Sequence, residues 1–247
     1  MEGFLPGIFH VSSKVIQIGD EGQRATRELV RRYETLVERH PALDRPALSR
    51  HLRALEAIDR QYGGESPLPL EDVEELVAAT VTELAHLDQD AGRQGIAEAD
   101  PDVPEITLAV ALWAIRHEVG LAVVEPVANA LALRANRSRG KSELSAVYGL
   151  MQGVIAHVAP RLSADLERSN PERPWRILHV NFAITAIRTE DPALIDAAFD
   201  ALDRALPDEA AGFYSEALAL ALGPRIAPAV RERIESRHAR WQGSAMR

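Results

Sequence analysis

The sequence predicts an all-α protein. Aromatic residues make up only 5% of a chain rich in Ala and Leu, and alternating Val- or Thr-rich runs of the kind that mark strands are few. Apolar residues recur instead at three- and four-residue spacings between proline and glycine breaks. With 247 residues, 46% hydrophobic and 26% charged, the chain is long enough to bury a sizeable core and is unlike a disordered segment.

Residues 1–20 read as an apolar, irregular arm carrying Phe4, Leu5, Ile8, Phe9, Val11, Val15, Ile16 and Ile18. Pro6, Gly7 and Ser12-Ser13 break it, and Glu2 stands where a signal peptide has basic residues. The arm is expected to pack on its own chain or on a second subunit, giving a homo-oligomer. Residues 21–91 form a helical module. Its first helix, 21–40, places Leu29, Tyr33, Leu36 and Val37 on one face, and "PALDRP" separates it from a second at 47–62, closed by Gly63-Gly64. A third starts near Glu71 with Val73, Leu76, Val77, Thr80, Leu84 and Leu87 in helical register. Residues 92–104, "GRQGIAEADPDVP", lose the pattern and read as a linker. Helices then follow at about 105–118, 121–135, 142–158, 161–169, 175–189, 193–206, 209–222 and 228–241.

Pro126, Pro160, Pro192 and Pro228 fall near the start of every second helix, 34, 32 and 36 residues apart. Unit boundaries near 105, 140, 174 and 208 repeat at the same interval, the period expected of four helical hairpins over 105–242 stacked in a solenoid-like array. The alternative is a compact, non-repeating helical bundle. The best-formed unit is "PWRILHVNFAITAIRTEDPALIDAAFDALDRALP", 174–207. Counted back from Pro207, Phe199 takes the aromatic position of a second helix and Ala183 the small position of a first, and this unit resembles a tetratricopeptide repeat. Ile195 stands where that family prefers Ala, and the other units share mainly the length and a small residue, Gly149 or Ala217. The resemblance implies scaffold, adaptor or chaperone-like recognition of a protein or peptide. In the second helix, Leu194, Ile195, Ala198, Phe199 and Leu202 are expected inside, and Asp196, Asp200 and Asp203 read as a solvated face.

The net charge of −9 argues against nucleic acid as a partner. The absence of cysteine excludes disulfides, thiolate metal sites and a cysteine nucleophile. "ITLAVALWAI" stops at Arg116, too short to span a bilayer. These features predict a soluble, cytoplasmic chain without a membrane partner. No cofactor is expected, because no phosphate loop, nucleophile elbow or His-Glu-x-x-His appears. Glu83–His86 and Glu235–His238 have the spacing of a carboxylate metal site, but each falls off its helix's apolar stripe and reads as a surface pair. His157 and His179 lie in apolar surroundings and read as hydrogen-bonded core or boundary residues. Arg116-His117-Glu118 interrupts an apolar stretch; a histidine beside a carboxylate suits acid–base work, whereas the plain reading is a polar helix end.

A basic edge is the main functional candidate. Arg134, Arg137, Arg139 and Lys141 cluster in an acidic chain, and Arg168, Arg173 and Arg176 follow one unit later. Arg134 to Arg168 and Arg139 to Arg173 are each 34 residues, so stacked hairpins would align them to grip carboxylates or phosphates of an acidic partner. A polar stripe of Asn181, Thr185 and Arg188 marks the neighbouring helix, which in hairpin solenoids lines the concave face. Two alternatives remain at this level. One is an all-α enzyme or small-ligand binder with a pocket between the two helical parts. The other is a DNA-binding regulator in which the helix at 47–62, with Ser49, Arg50, His51 and Arg53, reads bases.

Overall fold

The computed structural model describes residues 20–62, 69–96, 100–158, 173–221 and 226–244. Among them the regular structure is helical: α1 (Asp20–Arg39), α2 (Pro46–Tyr62), α3 (Leu70–Arg93), α4 (Asp102–Arg116), α5 (Glu125–Arg137), α6 (Lys141–His157), α7 (Pro174–Thr189), α8 (Pro192–Ala205), α9 (Pro207–Ala221) and α10 (Pro228–Ser244). Five of these open on proline, whose missing N–H costs nothing in the first turn. The "PALDRP" break contains a 3-10 turn at Pro41–Leu43. The helix expected from 121 starts at Glu125 instead. Residues 117–124 form a turn in which the Leu121 N–H donates to the His157 carbonyl at 2.6 Å, and Pro126 sits at the second helical position, where proline is tolerated. The apolar arm and the helix expected at 161–169 lie outside the described residues. No helix among the described residues is long and apolar enough to cross a membrane.

The chain divides into two compact units, one made of Met1–Arg134 and Gly153–Ala164, the other of Ala135–Gln152 and Asp165–Arg247. In the first, α1 packs on α2 and α4, and α3 packs on α2 and α4. α4 is buried on most sides, with Val103, Ile106, Leu108, Val110, Ala111, Trp113 and Ala114 inside, as expected of a helix that is apolar all round. Leu29, Tyr33, Leu36, Leu52, Leu55, Val77, Leu84 and Leu87 complete this core from the flanking helices.

In the second unit, α7 pairs with α8, α9 pairs with α10, and α8 touches both α9 and α10. Ile195, Ala198, Phe199 and Leu202 of α8 are buried, as is Ala183 of α7. The Tyr148 ring of α6 stacks on Phe182 of α7 with centroids 4.4 Å apart. Asp191 caps α8, accepting from the N–H groups of Ala193 at 2.9 Å and Leu194 at 3.4 Å, which satisfies donors the first turn leaves open. Glu190 closes α7 in the left-handed region with φ 57°, a conformation glycine adopts more readily.

Candidate functional site

Part of the expected basic edge is engaged by carboxylates of the same chain, although of its described residues only Arg173 is buried. Arg134 pairs with Glu105 at 2.7 Å, and Lys141 pairs with Glu190 at 2.7 Å. Arg173, itself buried, and Arg176 both bind the Glu209 carboxylate of α9. Arg188 donates to the Ala135 and Ser138 carbonyls at 2.7 and 3.0 Å, closing the end of α5. Thr185 is buried, and Asn181 donates back to the Ile177 carbonyl at 2.9 Å. Thus these three do not form an open polar stripe. Arg168 lies outside the described residues. Arg137 and Arg139 are exposed. The cause is in the composition: 37 acidic residues against 28 basic ones make a nearby carboxylate the usual neighbour of an arginine.

The α7 face that does meet solvent is largely apolar. Ile184, at mid-helix, is 40% exposed, and Ile177, Val180, Asn181 and Ile187 around it are half-buried.

A polar cluster interrupts the core of the first unit. The Asp59 carboxylate on α2 has no exposed surface. His117, just past α4, places Nε2 2.7 Å from Asp59 Oδ1 and donates to it. The Thr26 hydroxyl of α1 donates to the other carboxylate oxygen and accepts from Arg116 at 3.4 Å. Arg116 lies 3.9 Å from Asp59; burial pushes its pKa down, and the Asp59 charge opposes that shift. The Trp113 ring stacks on His117 at 3.8 Å, one helical turn earlier. The flagged histidine therefore has a carboxylate partner, but it is Asp59 rather than the adjacent Glu118, which is exposed with φ 54°. An Asp–His pair orients an imidazole as acid–base catalysis requires. Here it also ties α1, α2 and the end of α4 together.

Other flagged groups have structural partners. Glu83 and His86 both face Arg45, at 2.8 and 3.3 Å, and no group of metal-ligating residues occurs among the described residues. His179 is buried with Nδ1 3.0 Å from the Trp175 carbonyl, and His157 Nδ1 is 2.7 Å from the Gly153 carbonyl. Arg31, Arg32, Arg39 and Arg53, which a DNA-reading surface would present, pair with Glu28, Asp102, Asp100 with Asp102, and Glu34 respectively.

Sequence reasoning missed a second hub. The acidic face of α8, expected to be solvated, is met by arginines of α10, which shield Asp203 and leave Asp196 and Asp200 half exposed. Arg233 reaches Asp196 at 3.3 Å, and Arg237 binds both Asp200 and Asp203. Asp203 also accepts from the Tyr214 hydroxyl at 2.8 Å and the Trp241 N–H at 3.0 Å. Burial, and then the carboxylate it donates to, push the Tyr214 pKa far above the usual phenol value. The missed signal was arginine spacing: Arg233, Arg237 and Arg240 repeat the interval of Asp196, Asp200 and Asp203. Together these features define an all-helical protein with polar clusters inside both units. No protein-family model, no curated protein and no solved structure matches this chain.

Proposed function

We propose that the chain is a non-enzymatic recognition protein whose 105–242 region is a stack of tetratricopeptide-like hairpins. Its partner is a peptide segment with an apolar centre and an acidic flank. The observation that carries this reading is the apolar face of α7, with Ile184 40% exposed at its centre. In a stacked-hairpin array α7 is a first helix, the kind that lines the concave surface. Asn181 spends one amide N–H on its own helix, leaving its oxygen and second N–H for a peptide backbone. Arg188 ties the end of α5 to α7, which brings exposed Arg137 and Arg139 to the same end of the face, where acidic residues would be met. Selection of a random peptide display library on the full chain tests this. Apolar sequences flanked by Asp or Glu should be enriched, Ile184→Asp should abolish their binding, and Arg137→Glu with Arg139→Glu should weaken it and flatten its salt dependence. No enrichment, or binding indifferent to Ile184→Asp, overturns the reading.

A second reading, a small-ligand binder or enzyme, has one observation in its favour, the buried Asp59–His117 pair. Under it, protein purified from its native source releases a small molecule on denaturation, and His117→Gln protein does not. Native protein that releases none counts against it.

A further inference from the structure

α10 is an unusual helix to find packed on a core. Of its 17 residues, Val230 and Ile234 are the buried apolar side chains and Trp241 is half-buried; it packs on α9 as well as on α8, and its hold on α8 is largely polar. Three arginines one turn apart face three aspartates one turn apart on α8. Trp241 donates its N–H to the central hub Asp203, the Arg237 guanidinium lies 5.9 Å from the centre of the Phe199 ring, and Arg231 donates to the Ala221 carbonyl at the end of α9. Asp196 and Asp200 are each 51% exposed and Arg240 67%, so much of the ladder is open to counterions. Only Arg237 and Asp203, at 15% and 11%, are well shielded. Exposed pairs of this kind weaken with salt, as the screening length falls from about 10 Å at 0.1 M to about 3 Å at 1 M.

We propose that the acidic ladder of α8, floored by Phe199 and Tyr214, is a docking surface for an arginine-bearing amphipathic helix, and that α10 is a displaceable strap filling it. The partner helix carries arginines at i, i+4 and i+7 with apolar residues at i−3 and i+1, the pattern of Arg233, Arg237, Arg240, Val230 and Ile234 in α10 itself. A bound partner would exchange one set of Arg–Asp pairs for another, so displacement leaves no carboxylate buried without a cation. This surface is separate from the α7 face: Ile184→Asp leaves it intact, so the two proposals can fail independently.

The probe is a fluorescent synthetic peptide with the sequence of residues 226–244, titrated into the full-length chain. Wild type should bind it weakly, because a tethered α10 competes at high effective concentration. Arg237→Glu repels the strap from α8 and should tighten peptide binding by roughly tenfold or more. Adding Asp196→Lys and Asp200→Lys should cancel that gain. Equal binding by wild type and Arg237→Glu, or binding that survives the lysine changes, overturns the proposal. Amide hydrogen exchange on the wild type gives an independent reading should Arg237→Glu not fold. Raising salt should speed exchange in α10 by roughly tenfold relative to α8. Protection in α10 equal to that of α8 and unchanged by salt also overturns it.

Discussion

Asp59 and Asp203 each gather side chains from several helices. Asp59 holds a histidine and a threonine from two other elements and faces an arginine. Asp59→Asn keeps the shape but removes the charge, leaving the partly buried Arg116 without its counter-ion. Breaking a buried pair from one side costs about 3–5 kcal/mol, and part of the hydrogen bonding survives here, so a loss of about 3 kcal/mol in chemical denaturation is expected. Asp203→Ala removes the acceptor for Tyr214, Trp241 and Arg237 at once and should cost about 2–4 kcal/mol by the same measurement. A result within about 0.5 kcal/mol of wild type for either would show that water replaces the lost partner. His117 was visible in the sequence as a polar intrusion into an apolar run. Asp59 was not, because it lies 58 positions earlier and no local period connects them.

Helix ends follow local chemistry, and so they were the most legible elements. Asp191-Pro192 opens α8 as a cap followed by proline, and Asp191→Ala should destabilise the protein by about 1 kcal/mol through the loss of two capped N–H groups. Glu118 ends α4 at φ 54° without a glycine. Glu118→Gly should relieve that strain and raise stability by about 0.5–1 kcal/mol; a decrease in the denaturation midpoint would mean the side chain contributes more than its backbone costs. α5 starts four residues later than expected because 121–124, all apolar, reads as the first turn of a helix. A tertiary bond from Leu121 N–H to the His157 carbonyl holds it in a turn instead. The polar faces of α7, α8 and α10 were the least legible elements. Solvent and a partner helix favour the same residues there, and periodicity cannot tell them apart.

Among the described residues, burial raises the pKa values of Tyr33 in the first unit and of Tyr148 and Tyr214 in the second. An unfolded tyrosine ionises near pH ~10. Above that pH the unfolded chain releases protons that the folded chain keeps, so the native state binds more protons and stability falls as pH rises. Below it both states hold the phenolic protons and these groups contribute no pH dependence. Urea midpoints should therefore drop steeply above about pH 10. Tyr214→Phe should make that fall shallower while lowering the midpoint at neutral pH through the lost bond to Asp203. An unchanged alkaline slope in Tyr214→Phe would remove Tyr214 as a cause.

The sequence by itself determined the helical class, the proline-opened helices and their inward faces, because propensity, capping and the 3.6-residue period act over a few neighbouring positions. Which arginines meet which aspartates was decided only by the tertiary structure. Helix packing brought Arg173 and Arg176 to a carboxylate of their own chain rather than to an open edge, and the acidic face of α8 to the arginines of α10. Charge attraction acts between whichever groups the packed helices bring together, and that proximity has no local signature in the chain.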